Sequence, residues 1–126
     1  MAACLAAGLS SAASAWAAER RAVQRDVEDY AIATCFDAQK QPYLSDQGDA
    51  AASVIIQRGH GDPGILAALA DTVKQELAKG DIPIIHGEGT GDKALPILYC
   101  IEIIDKPAVR KAIGIAILKL APAYRR

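Results

Sequence analysis

Two cysteines in apolar, helical segments constrain this chain more than any other feature. Cys35 lies in residues 30–36, and Cys100 lies in residues 95–105. Both follow what we interpret as an export signal, and in an oxidising compartment a pair of cysteines favours a disulfide. A bridge that closes the long loop between Cys35 and Cys100 would stabilise a small domain by about 4 kcal/mol. The alternative is two separate buried thiols that pack as small apolar side chains.

Residues 1–17 have the composition of a secretory signal peptide. They carry no charge, and the small residues at 15–17 predict cleavage after Ala17. Positive residues are missing ahead of the apolar region, so we expect the start to be truncated or misassigned. The alternative is an Ala-rich amphipathic helix of the mature protein, whereas a lipid anchor at Cys4 is disfavoured because no apolar run precedes it. We predict that residues 18–126 form a single domain in the periplasm.

The charge of the chain argues against a nucleic-acid partner. The formal net charge is −1. Residues 106–126 contain six basic residues and no acidic one, so the formal charge of the rest of the chain is about −7. We interpret the basic segment as a solvated helix face rather than a polyanion site. No apolar run approaches the roughly 20 residues that cross a bilayer, so we predict no membrane span.

Helical periodicity dominates the chain, and alternating strand patterns are nearly absent, which predicts an all-α fold. We expect a bundle of about five helices, stapled by one disulfide. The predicted helices cover residues 19–40, 45–58, 63–79, 93–105 and 107–121. Ser45 is the predicted cap of the second helix, Asp62 followed by Pro63 opens the third, and Pro122 ends the fifth.

The apolar stripes of these helices predict the core. The fourth helix is apolar on most sides and should run through the centre of the bundle, with Pro96 in its first turn. The stripes of the other helices are Val23, Val27, Tyr30, Ala31, Cys35 and Ala38 in the first, Ala51, Val54 and Ile55 in the second, Ile65, Leu66, Leu69, Val73 and Leu77 in the third, and Val109, Ile113, Ile117 and Leu120 in the fifth.

One segment, residues 80–92, lacks a helical pattern. Its glycines predict a protruding loop, while Ile82, Ile84 and Ile85 give it apolar contact area. Loops of this composition often insert into a partner's cleft. The alternative is that the isoleucines tuck under the bundle and the glycines merely turn the chain.

Signals for catalysis or metal binding are weak. The glycines of residues 87–93 lack the spacing of a phosphate-binding lysine loop. The polar residues His60, Asp62, His86 and Glu88 lack the helical pairing of strong zinc motifs. Neither cysteine has the electropositive neighbours that activate a thiolate. We therefore expect no catalytic residues, no metal and no cofactor.

Three segments resemble the periplasmic immunity proteins that neutralise type VI secretion amidase effectors. They are residues 29–36, 49–54 and 95–109, and the resemblance spans most of residues 26–120. The two cysteines of the chain correspond to the cysteines that pair two helices in that family. The resemblance therefore implies a small all-helical protein with a disulfide between those helices.

The resemblance also implies a function. Members of the family, usually homodimers, bind a peptidoglycan amidase with a papain-like Cys/His site and block it, which protects the producing cell and its kin. The inhibitory element corresponds in position to residues 82–92. By this resemblance Ile84 and Ile85 are expected to be apolar anchors, and His86 and Glu88 the polar groups that reach the effector's cleft. Such an inhibitor needs no catalytic residues of its own.

A second hypothesis belongs to a different class of protein. A small periplasmic chaperone or ligand-binding helical module could also consist of a disulfide-stapled bundle, with the uneven charge of the chain governing its clients. This hypothesis predicts binding to many unfolded proteins, whereas the immunity hypothesis predicts one tight partner. A hydrolase is disfavoured because the catalytic signals are weak.

Overall fold

Helices and one short hairpin follow one another along the chain. The structure, a computed structural model, describes residues 11–89 and 91–125, with side chains from Ala22 onward. Within these ranges the five helices are α1 Ser11–Asp37, α2 Pro42–Arg58, α3 Pro63–Leu77, α4 Pro96–Glu102 and α5 Pro107–Tyr124. The hairpin strands are β1 Ile84–Gly87 and β2 Gly91–Ala94, and a 3₁₀ turn, Ile103–Asp105, links α4 to α5. The predicted all-α fold of about five helices is confirmed.

Prolines open most of the helices. The prolines at the starts of α2 to α5 are Pro42, Pro63, Pro96 and Pro107. A first-turn N–H has no partner within a helix, so a proline there loses no helical hydrogen bond. Asp62 caps α3 as predicted, because its carboxylate accepts a hydrogen bond from the Gly64 N–H at 2.8 Å.

Two residues that were predicted to cap or end a helix do not do so. Ser45 does not cap α2, because the helix already begins at Pro42. The Ser45 hydroxyl instead donates to the Asp37 carbonyl at 2.8 Å. Pro122 does not end α5, which continues to Tyr124. The Tyr124 hydroxyl donates to the buried Asp26 carboxylate at 2.7 Å. This contact holds the last turn, although the proline removes one helical hydrogen bond.

The core forms around α1, which contacts all four other helices. The predicted stripes of α1, α3 and α5 supply most of the buried side chains. Their largest fully buried members are Val23, Val27, Cys35, Leu69, Val73, Val109 and Ile113. Each buried aliphatic side chain of this size stabilises the fold by about 1.5–3 kcal/mol. Ala38 is an exception to the prediction, because α1 ends at Asp37 and Ala38 is exposed.

The predicted stripe of α2 is largely wrong. Only Gly48 and Ile55 are buried along this helix, whereas Ala51 and Val54 are exposed. The helix packs mainly on α1. A helix with one main neighbour covers a single narrow stripe, so the other apolar positions face outward.

The prediction that the fourth helix begins near residue 93 and runs through the centre of the bundle is also wrong. α4 begins at Pro96, directly after the hairpin, and buries only Tyr99 and Cys100. Its remaining large apolar side chains, Ile97, Leu98 and Ile101, are about half exposed. A helix of seven residues that packs on α1 and the following 3₁₀ turn has one covered face.

Cys35 and Cys100 form a disulfide that joins α1 to α4, as predicted. Their Cα atoms are 5.4 Å apart, and both side chains are fully buried. The Gln39 side-chain amide covers the bridge, because it donates to the Cys35 carbonyl at 2.9 Å and lies 3.5 Å from Cys100 Sγ. Only Leu95 separates β2 from α4, so the disulfide also anchors the C-terminal end of the hairpin.

The predicted signal segment lies at the edge of what the structure describes. Residues 1–10 fall outside the described part, and residues 11–17 belong to the backbone of α1. Export and cleavage after Ala17 therefore stay predictions. Within the described residues, no helix has the length and apolar character that a bilayer crossing requires.

Candidate functional site

The segment predicted as a protruding loop is a β-hairpin. β1 pairs with β2 in antiparallel fashion, with Ile84 opposite Ala94 and His86 opposite Asp92. Gly89 lies in the turn with a φ of 79°, a left-handed conformation that favours glycine. All residues of both strands are exposed. The sequence pattern failed to predict the strands because each has only four residues.

The four predicted contact residues all lie on this hairpin but do not share one face. Side chains alternate across a strand, so Ile84 and His86 lie on one face and Ile85 lies on the other. Ile84 and Ile85 are 55% and 51% exposed, which leaves about half of each side chain open to a partner. Glu88 lies in the exposed turn. Ile82 alone packs against the core, so the alternative in which the isoleucines tuck under the bundle applies to that residue only.

His86 has a charged partner across the hairpin. Its Nδ1 lies 2.7 Å from a carboxylate oxygen of Asp92. The Leu95 N–H donates to the Pro83 carbonyl at 2.9 Å, so these two opposed residues form a hydrogen-bonded pair. Hydrogen-bonded and non-hydrogen-bonded pairs alternate along an antiparallel ladder. His86 and Asp92 therefore form a non-hydrogen-bonded pair, in which the Cα atoms and side chains approach most closely. The pairing depends on the register of the turn, and no spacing in the sequence indicates it.

A second polar cluster joins the three helices α1, α2 and α5. Asp26 of α1 is 4% exposed and accepts a hydrogen bond from Arg58 Nε of α2 at 3.0 Å. Arg58 Nη2 forms an ion pair with the same oxygen at 2.8 Å. The other oxygen of Asp26 accepts the hydroxyl of Tyr124 in α5 at 2.7 Å. The Tyr124 ring meets His60 edge-on, with centroids 5.1 Å apart. The cluster was not predicted, because its members are far apart in sequence.

The geometry of this cluster indicates a structural role. The Asp26 carboxylate uses both oxygens on protein donors, and no buried side-chain N or O atom within the described residues lacks a partner. A buried carboxylate that is fully hydrogen-bonded in this way joins its elements rather than awaiting a ligand. Burial of the Tyr124 phenol, followed by its hydrogen bond to Asp26 and the negative charge of that carboxylate, raises the pKa of Tyr124 to about 12.

Replacing Tyr124 with phenylalanine should remove this tie. We expect the free energy of unfolding at pH 7 to fall by about 1.5–2 kcal/mol, because a hydrogen bond to a charged group is lost. The unfolded phenol has an ordinary pKa of about 10 and loses its proton first, so the contribution of Tyr124 should vanish as the pH rises from 10 towards 12. Urea unfolding of both proteins across this range measures the difference. If the difference in the free energy of unfolding between the two proteins stays constant with pH, the assignment is wrong. Phenol absorbance provides the control, since the variant should lack the group that titrates at about 12.

The residues considered for chemistry are not brought together. Within residues 22–89 and 91–125, no three His, Cys, Asp or Glu side chains are arranged to hold a metal ion. His60 contacts Tyr124, whereas His86 pairs with Asp92. Both core cysteines are joined in the disulfide, so neither presents a thiolate to a histidine.

No protein-family model, curated protein or solved structure matches this chain significantly.

Proposed function

We propose that this chain is an immunity protein that binds and inhibits a type VI secretion peptidoglycan amidase by occluding its active-site cleft. The observation that carries the proposal is the exposed hairpin, which projects two half-exposed isoleucines and a charged turn from a disulfide-stapled bundle. The sequence resemblance described above supplies the class of partner. In this proposal the chain is not an enzyme, and its role is to exclude substrate from the partner's Cys/His site.

The base of the hairpin supports such a role physically. Ile82 packs against the core on one side, and the Cys100 disulfide anchors α4 on the other. An element held at both ends loses little conformational entropy when it binds, so more of the contact energy remains for affinity. Apolar anchors that become fully desolvated usually dominate such interfaces. Ile84 and Ile85 would be these anchors.

The polar groups of the hairpin would act on the partner's site. Glu88 in the turn carries a negative charge beside glycine, where the backbone can approach another surface closely. His86, paired with Asp92, presents an imidazole of defined orientation. Both groups can hydrogen-bond to the histidine or to the main chain of a papain-like cleft. Export to the periplasm and a homodimeric state belong to the same proposal.

Replacing Ile84, Ile85, His86 and Glu88 together with alanine tests the proposal. The partner is the product of the adjacent reading frame, since an effector and its immunity protein are normally encoded side by side. We expect the variant to bind this amidase about a hundredfold more weakly, because desolvated anchor residues carry most of the binding energy at interfaces. Calorimetry measures the affinity, and a peptidoglycan-hydrolysis assay measures the inhibition.

A matched control replaces Ile97, Leu98 and Ile101 of α4 with alanine. These side chains are exposed to a similar extent as the isoleucines of the hairpin, but they lie outside it. The control should bind and inhibit within about threefold of the unmodified chain, as expected for changes outside the anchor residues. If the four-residue variant is folded and inhibits as well as the unmodified chain, the hairpin is not the inhibitory element.

A chaperone or ligand-binding module is the second candidate, and the apolar surface outside the hairpin favours it. The exposed large apolar side chains there are Tyr43, Val54, Ile56, Ile97, Leu98, Ile101, Ile115 and Leu118. Exposed apolar area can bind unfolded clients. Suppression of the aggregation of a model client diluted from denaturant without a reductant, lost in the α4 alanine variant, would favour this candidate. Capture of one amidase with no effect on that client would favour the immunity function.

A further inference from the structure

The hairpin is a two-stranded sheet with an uncovered edge on each side. Every residue of β1 and β2 is exposed, and among the described residues neither strand makes extensive contact with a helix. Outside the hairpin ladder, no main-chain hydrogen bond among the described residues involves Ile84 or His86. A sheet usually needs three or more strands, or a helix packed on it, for independent stability. The hairpin is therefore an incomplete sheet.

The register determines which main-chain groups point outward. The Leu95 N–H donates to the Pro83 carbonyl, so this pair is hydrogen-bonded. Hydrogen-bonded pairs alternate along an antiparallel ladder, which makes Ile85 opposite Lys93 the next such pair. The intervening residue, Ile84, lies in a non-hydrogen-bonded pair, and so does His86. Their N–H and C=O groups face away from β2, along the free edge of β1.

The two edges of the hairpin differ in composition. β1 carries two isoleucines, His86 and Gly87, and no acidic or lysine side chain. β2 carries Asp92 and Lys93. Charged side chains, lysine above all, are a common device that prevents a free edge from pairing. The β1 edge lacks this protection, whereas the β2 edge has it.

We infer that the partner adds an extended strand to the β1 edge of the hairpin, pairing with the main chain of Ile84 and His86. The inference rests on the proposed function, because the occupant is a segment of the proposed amidase. Strand addition supplies affinity through main-chain hydrogen bonds, while alternate side chains give specificity. On this geometry Ile84 and Ile85 contact opposite faces of the added strand.

Proline substitution separates the main chain from the side chain. Ile84→Pro removes an outward N–H without removing a bond of the hairpin ladder, whereas Ile84→Ala removes the side chain and keeps that N–H. We expect Ile84→Pro to bind the amidase about tenfold more weakly than Ile84→Ala, as loss of one main-chain hydrogen bond predicts. Ala94→Pro removes an outward N–H from the β2 edge and should leave the affinity unchanged.

Amide hydrogen exchange gives a second measurement that needs no variant. In the complex of the unmodified chain with the amidase, the N–H groups of Ile84 and His86 should gain protection, and those of Asp92 and Ala94 should not.

Equal affinities for Ile84→Pro and Ile84→Ala, together with unprotected β1 amides, would overturn the inference while the inhibition itself persists. Failure of the unmodified chain to bind the amidase would overturn the proposed function and this inference with it. Self-association of the chain that Ile84→Pro abolishes would assign the edge to a second copy and overturn the inference as well.

Discussion

Breaking the Cys35–Cys100 disulfide is expected to lower the free energy of unfolding by about 4 kcal/mol, the largest effect we predict. The bridge spans 65 residues of sequence, so its loss frees a long loop in the unfolded chain. Domains of this size are stable by only about 5–15 kcal/mol, which makes such a loss a large fraction of the total. Urea unfolding followed by circular dichroism, with and without a thiol reductant, measures the change.

The double variant Cys35→Ala with Cys100→Ala is the matched control for this experiment. It should unfold near the midpoint of the reduced chain and should not respond to the reductant. Both side chains are fully buried, so the change to alanine also leaves a small cavity, and the variant should be slightly less stable than the reduced chain. If the reductant leaves the midpoint of the unmodified chain unchanged, the bridge does not constrain the unfolded state as described.

Reduction should also affect the hairpin before it affects the rest of the bundle. α4 follows β2 after one residue and is held to α1 by Cys100, while its outer face is exposed. Without the bridge, the contacts of Tyr99 and of the following 3₁₀ turn remain to hold α4 against the core. We expect reduction to accelerate amide exchange more in α4 and β2 than in α3.

Replacing Gly48 with alanine is expected to destabilise the protein by about 3 kcal/mol, because the crossing of α2 over α1 leaves no room for a side chain. A Cβ at Gly48 would lie 2.7 Å from the Ala33 carbonyl oxygen and would overlap the main-chain nitrogen of Asp37. These are backbone atoms, so relief requires α2 to move away from α1. Such a shift would disturb Ile55, the one large side chain that α2 buries.

Gly114 provides the opposite case within the same chain. It lies in α5, is exposed, and has no atom within 4 Å of an added Cβ. Alanine there should raise the free energy of unfolding by about 0.5–1 kcal/mol, because glycine is the poorer helix former. Thermal unfolding of the two variants should therefore shift in opposite directions. An unchanged midpoint for Gly48→Ala would mean that the two helices do not approach as closely as described.

The candidate site was partly predictable. The glycines and isoleucines of residues 80–92 identified the exposed segment, because they lack a helical pattern and that is a local property. The pairing of His86 with Asp92 and the free main-chain groups of Ile84 were not predictable. Both depend on the register of the hairpin, and shifting that register by one residue would exchange the faces of the strand.

By itself, the sequence determined the helices of α1, α3 and α5, the start of α3 at Asp62 and Pro63, and the two cysteines available to form a bridge. Apolar periodicity, caps and prolines act within a few residues, and so they can be interpreted without coordinates. Only the tertiary structure decided that α4 lies with one face exposed, that α2 crosses α1 at Gly48, and that Asp26 meets Tyr124. These features arise where distant segments approach each other in space, and their energies come from contacts that no local pattern encodes.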